Sequence, residues 1–191
     1  MGESDLPPFV IAERDALLVE ISTAFSGVSR EGGVTWNETE IIDLYGSLEE
    51  RSAARLTDQD ACWQDVLDDP NWDPEPGVGA WSFLDAIGFR YYLPAGMVFA
   101  IRRGFDSGIC YHLTLSQGDL QEHRQDQWSR FDATQRLCIK RFLRYMAVLD
   151  GWYVAQAHGG SWYAALTSFW DGIFDVSVSE IEQDVATKPP L

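Results

Sequence analysis

A run of apolar residues at helical spacing, between residues 132 and 149, sets the fold class of this chain. The apolar positions recur every three or four residues, which places them on one face of an α-helix. Asp132 can cap this helix, with Gln135 at its third position. Such a face has to be buried against other elements, so a helical core is predicted around it. Its apolar positions are Leu137, Cys138, Phe142, Tyr145, Met146 and Leu149.

A second face of the same helix is basic. Arg136, Lys140 and Arg144 follow one another at intervals of four residues, and Arg141 lies beside them. Side chains at this spacing are neighbours on a helix surface. We predict that this basic stripe pairs with acidic residues from the first 60 positions of the chain, where most of the nearby negative charge lies.

Two further helices are predicted near the N-terminus. Residues 10–25 show amphipathic spacing, and "SGVSREGGV" interrupts it. Thr35 and Glu38 then form a capping-box pattern at the start of the second helix. The apolar face of this second helix is predicted to consist of Ile41, Ile42 and Tyr45.

The centre of the chain combines aromatic residues with turn signals. Prolines and glycines in residues 68–79 predict a loop. Pro94 fits the first turn of a helix that ends near Gly104, and the alternation in residues 108–116 allows one short strand. The fold class is therefore mainly α, with residues 1–191 as a single compact helical domain and at most a short strand or hairpin near 108–116. We expect frayed ends at 1–9 and 186–191.

The charge of the chain is uneven. The net charge is 14 − 30 = −16, and residues 1–80 contribute 4 − 18 = −14 of it. Such a field repels nucleic-acid phosphate and attracts a basic protein. The three cysteines form no CxxC pair, and neither a secretory signal nor an apolar run of membrane-spanning length is visible. We therefore expect a cytoplasmic protein without membrane contact, and we find no fingerprint of a cofactor.

Several spaced segments carry a family resemblance. They are "WNETEIIDLYGSLEERSAARLTD", "CWQDV", "LDAIGFRYYLPAGM" and "QRLCIKRFLRYM". In this order they resemble a family of small bacterial proteins catalogued as a domain of unknown function, over roughly residues 22–149. The resemblance implies a compact, mainly helical, cytosolic protein and brings no catalytic residues with it. Gly96 departs from the larger aromatic residue expected at that position.

An acidic loop is the first candidate site. It contains Trp72 among carboxylates at Asp65, Asp68, Asp69, Asp73 and Glu75. Prolines interrupt it and a calcium loop's central glycine and terminal glutamate are missing, so no metal site is predicted. An exposed tryptophan inside an acidic rim is typical of a surface that binds a basic partner.

The second candidate site lies in "LDAIGFRYYLP". Asp85 and Arg90 are five residues apart among apolar neighbours, and Tyr91 and Tyr92 follow. Asp85 and Arg90 form either a structural ion pair or part of a ligand pocket. A buried pair holds one geometry without adding much stability. In a pocket, Arg90 would bind a carboxylate or phosphate beside the tyrosines.

These features lead to a ranked set of functional hypotheses. We expect a non-enzymatic, acidic protein-binding module, and in its sharper form an immunity or inhibitor protein for a basic toxin or other cationic protein. The alternative is an enzyme or small-molecule binder with a pocket around Arg90, Tyr91 and Tyr92. A weaker alternative is a DNA mimic, which would need regularly spaced carboxylates on one surface.

Overall fold

The structure, a computed structural model, describes residues 8–75, 79–103, 108–115, 118–153 and 160–173. In these ranges the regular structure is helical, which confirms the mainly α fold class. Residues 109–113 form a helix instead of the short strand that the alternation allowed. The ends expected to fray lie largely outside the described residues. The α-helices are α1 (Pro8–Ala24), α2 (Trp36–Asp43), α3 (Leu48–Arg55), α4 (Trp63–Asp68), α5 (Ala86–Arg103), α6 (Ile109–Leu113), α7 (Asp119–Trp128), α8 (Ala133–Tyr153) and α9 (Gly160–Ser168).

Helix α8 lies at the centre of the core, as its periodicity predicts. It packs against α1 on one side and α9 on another. The predicted cap is confirmed, because Asp132 Oδ1 accepts the Gln135 N–H at 2.9 Å. In turn, Gln135 Oε1 accepts the Asp132 N–H at 3.3 Å. Side chains such as Phe142 and Leu143 are completely buried.

Helix α5 begins earlier than the sequence predicts. We expected Pro94 in its first turn, but the helix starts at Ala86 and runs through Pro94 to Arg103. Asp85 starts it, because its Oδ1 accepts the Gly88 N–H at 2.8 Å. Buried neighbours surround most of the helix, so no amphipathic period marks it in the sequence. Packing on all sides compensates for the hydrogen bond that Pro94 cannot donate.

The α2–α3 hairpin is held together by a buried carboxylate. Glu38 accepts hydrogen bonds from Arg51 at 2.9 Å and from Arg55 at 2.7 Å. It also accepts the Thr35 N–H at 3.3 Å, as the predicted capping box requires. Burial alone would raise the pKa of Glu38, but these hydrogen bonds hold it below its ordinary value.

The predicted apolar face of α2 is only partly right. Ile41 and Ile42 are half-buried, and Tyr45 is 96% exposed. The helix instead buries Trp36, Glu38 and Thr39.

The basic stripe of α8 pairs only in part with the N-terminal acids. Arg141 binds Glu20 at 2.9 Å, and Arg144 binds Glu13. The other two basic residues bond mainly to backbone carbonyls: Arg136 to those of Phe131 and Trp128, and Lys140 to that of Asp171. No helix within the described ranges has the length and apolarity needed to cross a bilayer.

Candidate functional site

A cleft of about 450 Å³ opens between the start of α2, the loop after α3, and α4. We call it the acidic cleft. Its floor is aromatic and its walls carry carboxylates. The floor consists of Trp36, Trp72 and Tyr92, and the carboxylates are Asp58, Asp60, Asp65, Asp68 and Asp69.

The aromatic floor is rigidly placed. Trp36 is the first residue of α2, and its backbone N–H donates to the Tyr92 hydroxyl at 3.0 Å. The Trp36 ring centroid lies 5.3 Å from that of Tyr92 and 5.5 Å from that of Trp72. Trp72 also packs edge-on against Phe99 of α5. The expectation of an exposed Trp72 is wrong, because these contacts leave it half-buried as part of the floor.

Backbone amides hold two of the wall carboxylates in place. Asp65 Oδ2 accepts the N–H groups of Cys62 and Ala61 at 3.0 and 2.9 Å, at the start of α4. These hydrogen bonds lower the pKa of Asp65 below its ordinary value. Asp69 Oδ1 accepts the Asn71 N–H at 2.8 Å and closes the turn after α4. Both carboxylates are therefore anchored while their side chains remain exposed.

The inner wall of the cleft consists of Asp58 and Asp60, which are more buried than Asp65 and Asp69. Asp58 accepts the Asn37 N–H at 3.0 Å, yet burial raises its pKa and the neighbouring Asp60 adds to the rise. Behind the floor, Arg30 donates to the Asp58 carbonyl at 2.9 Å. Its Nε lies 3.4 Å from Asp60 Oδ2. None of the described residues that line the cleft is a lysine or arginine.

Tyr91 and Tyr92 face different clefts although they are adjacent on α5. Successive residues on a helix point about 100° apart, and their rings meet edge to face with centroids 5.0 Å apart. Tyr92 lines the acidic cleft, whereas Tyr91 lines a neighbouring one of about 300 Å³ beside Arg30 and Arg55. Burial raises the pKa of both tyrosine hydroxyls.

Arg90 contributes to neither cleft. It donates from Nε to Gln135 Oε1 at 2.9 Å, and Gln135 in turn donates to the Ala24 carbonyl at 3.1 Å. Asp85 bonds to the N–H groups of Gly88 and Val34 instead of to Arg90. The structure therefore gives the two predicted ion-pair partners separate structural roles. The segments "LDAIGFRYYLP" and "QRLCIKRFLRYM" meet through the Arg90–Gln135 contact.

The acidic loop divides into two parts. Asp65, Asp68 and Asp69 line the cleft together with Trp72. Asp73 and Glu75 are exposed outside its lining, where Asp73 Oδ1 accepts the Glu75 N–H at 2.9 Å. These two residues offer a matched control for the cleft carboxylates, because they carry the same charge a few residues further along the chain.

Sequence reasoning missed three residues of this site. Neither the two aspartates, Asp58 and Asp60, nor Trp36 was placed in a candidate site. One signal was present, since residues 58–69 hold five acids and no basic residue. Nothing local indicated that Trp36 would meet Tyr92, which lies 56 residues away.

The chemistry of the acidic cleft suits a cation. Carboxylates form short, charge-assisted hydrogen bonds with guanidinium and ammonium groups. Tryptophan and tyrosine faces attract the same cations through their ring quadrupoles. Among the described residues, no three histidine, cysteine, aspartate or glutamate side chains lie close enough together to hold a metal ion. The arrangement therefore brings carboxylates and aromatic ring faces, both of which attract cations, together in one cleft.

The fold and cleft describe a mainly helical protein with an acidic, aromatic-floored binding surface. A family model described as a family of unknown function, DUF6714, matches residues 13–173. The match covers most of the chain, so the chain belongs to this family. Neither a curated protein nor a solved structure matches it significantly.

Proposed function

We propose that this protein is a non-enzymatic, cytoplasmic binding module whose acidic cleft receives a basic side chain of a protein partner. The observation that carries the proposal is the meeting of five aspartates with the aromatic floor in one cleft. An arginine side chain matches both parts, because its planar guanidinium pairs with carboxylates and stacks on aromatic rings.

The sharper form of the proposal is an immunity or inhibitor protein for a basic toxin or other cationic protein. Residues 1–80 carry a net charge of 4 − 18 = −14, and the cleft lies within that half except for Tyr92. A field of this sign steers a cationic protein toward the cleft and speeds its association. Blocking the basic surface of such a partner would inhibit it without any chemistry by this chain.

A tetra-arginine peptide tests the cleft directly by isothermal titration calorimetry. We expect binding at about 50 mM NaCl and much weaker binding at about 500 mM, because salt screens exposed charges. Asp68→Asn with Asp69→Asn should weaken binding about tenfold, since each charge contact contributes roughly 0.2–1 kcal/mol. Asn at position 69 can still accept the Asn71 N–H, so the turn is retained.

The matched control is Asp73→Asn with Glu75→Gln. It removes the same formal charge from residues outside the cleft lining, and we expect less than about a twofold change, because these exposed side chains make no direct ion pair with a peptide held in the cleft. Equal weakening by both double variants would mean that the peptide senses only net charge. That result, or no binding at low salt, would refute the cleft as the site for a basic side chain.

A further inference from the structure

The turn between α2 and α3 exposes three apolar side chains within five residues of the chain. Leu44 is 61% exposed, Tyr45 96% and Leu48 77%. We call these three residues, which lie within five positions of one another, the Tyr45 patch. Single exposed apolar residues are ordinary on protein surfaces, but adjoining ones with polar surroundings often mark an interaction site.

The backbone at Tyr45 gives a second, independent reason to single out this patch. The N–H of Gly46 bonds to the Ile41 carbonyl at 2.8 Å, and the N–H of Tyr45 bonds to the Ile42 carbonyl at 3.1 Å. This pair of bonds is the Schellman motif, which ends a helix with one left-handed residue that is usually glycine. Tyr45 occupies that position with φ = 57°. A tyrosine there is strained, and its exposed ring gains no burial in return.

The surroundings of the patch define the partner that fits it. The segment "ETEIIDLYGSLEE", residues 38–50, contains five acids and no basic residue. Glu40, Glu49 and Glu50 are exposed close to the patch in sequence. An aromatic anchor inside an acidic rim matches an apolar pocket inside a basic surface. Tyrosine is also among the residues that most often dominate binding energy at interfaces.

We propose that Tyr45, supported by Leu44 and Leu48, is an anchor that inserts into an apolar pocket on the basic surface of a protein partner. The basic character of that partner rests on the proposed function. The patch and the acidic cleft lie at opposite ends of α2, from Trp36 to the turn after Asp43. Eight helical residues span about 12 Å, a distance that one interface of ordinary size covers.

Photo-crosslinking in the native host tests the proposal. The probe is p-benzoylphenylalanine in place of Tyr45, and the control is the same probe in place of Tyr111, which is 55% exposed on α6. We expect a covalent adduct with a basic protein from position 45 and none from position 111. The adduct's partner is then purified, and its affinity is measured for the wild type and for Tyr45→Gly.

Tyr45→Gly separates binding from folding. Glycine adopts the left-handed conformation freely, so this variant should have a higher melting temperature than the wild type. We expect the same variant to bind the purified partner at least about tenfold more weakly, because an anchor residue is lost. If the variant is more stable than the wild type, unfolding cannot explain its loss of affinity.

Three results would overturn the proposal. The first is that position 45 gives no more adduct than the Tyr111 control. The second is an adduct with a second copy of this chain or with a non-basic protein. The third is that the affinity of Tyr45→Gly for the partner lies within about twofold of the wild-type affinity. The two proposals also fail separately. If Asp68→Asn with Asp69→Asn weakens binding of the partner and Tyr45→Gly does not, the cleft is supported and the anchor is refuted. If Tyr45→Gly weakens binding of the partner and the double variant does not, only the cleft is refuted.

Discussion

At the scale of single residues, Gly96 shows how one position depends on a distant neighbour. A Cβ atom at Gly96 would lie 2.6 and 2.8 Å from two ring atoms of Trp81. The family resemblance led us to expect a larger aromatic residue at this position. In this chain the indole of Trp81 fills that space from another element, so only glycine fits beneath it.

His112 is a buried residue whose protonation opposes folding. Its Nδ1 accepts from the Arg124 guanidinium, and the side chain is almost fully buried. Burial, reinforced by the charges of Arg124 and His123, lowers the pKa of His112 to about 3. The unfolded chain binds a proton near the ordinary value of about 6.5. The contribution of neutral His112 to the free energy of unfolding is therefore fully present above about pH 6.5. It declines as the pH falls from about 6.5 toward 3.

We predict that the free energy of unfolding falls on mild acidification because of His112. Urea unfolding at about pH 7 and pH 5 should show the wild type losing roughly 1–2 kcal/mol more than His112→Asn. Asparagine supplies an acceptor for Arg124 but cannot titrate. Equal losses in both proteins would show that His112 does not control this pH range. The measurement compares the change in free energy of unfolding between the two pH values in each protein. Stability that the variant loses equally at both pH values therefore cancels.

At the scale of elements, α1 is attached to α8 by both apolar and ionic contacts. Leu17 and Ile21 are buried, while the ion pairs Arg141–Glu20 and Arg144–Glu13 lie near the surface. Partly exposed pairs each contribute roughly 0.2–1 kcal/mol and are weakened by salt. The apolar core of α8 does not depend on salt in this way. The attachment of α1 should therefore be the part of the fold most sensitive to ionic strength.

We predict that salt loosens α1 before it loosens α8. Amide hydrogen exchange of residues 8–24 should accelerate about threefold to tenfold between about 50 and 500 mM NaCl, while buried α8 amides change little. The double variant Arg141→Gln with Arg144→Gln should exchange quickly at both salt concentrations. Unchanged protection of α1 in the wild type would contradict an ionic role for these pairs.

At the scale of the whole molecule, the distribution of charge determines what can approach. The net charge is −16, but some acidic side chains are bonded within the fold. Glu38 accepts hydrogen bonds from two arginines, and Asp85 accepts a backbone N–H at the start of α5. Within the acidic cleft, Asp60 pairs with Arg30 and Asp65 accepts two backbone N–H groups, whereas Asp68 and Asp69 remain exposed. Its inner member, Asp58, has a raised pKa because burial disfavours its charge. A cation bound beside Asp58 would favour its charged form and so lower that pKa.

We predict that tetra-arginine binding weakens as the pH falls from 7 toward 4. A cation requires charged carboxylates, so affinity is lost as the pH falls through the pKa of Asp58, which lies above the ordinary value of about 3.9. Asp58→Asn should move the midpoint of this loss to lower pH. Near that pKa, titration calorimetry in two buffers of different ionisation enthalpy would also detect protons displaced from Asp58 by the bound peptide. A midpoint unaffected by Asp58→Asn would assign the pH dependence to the other carboxylates.

The elements that sequence reasoning predicted correctly are those with local signals. The spacing of Leu137, Phe142 and Tyr145 marks α8, and Asp132 caps it as expected. The Thr35–Glu38 capping box marks the start of α2. Periodicity and capping depend on residues three or four positions apart, which the sequence displays directly. The clustering of acids around Trp72 is local in the same sense.

By itself, the sequence determined the helical class, the starts of α2 and α8, and the acidic character of the first 80 residues. Only the tertiary structure decided that α5 begins at Ala86, that Arg90 bonds to Gln135, and that Tyr45 faces solvent. It also brought Trp36, the acidic loop and Tyr92 into one cleft. These outcomes depend on which distant surfaces bury one another, and burial between distant segments leaves no regular spacing along the chain.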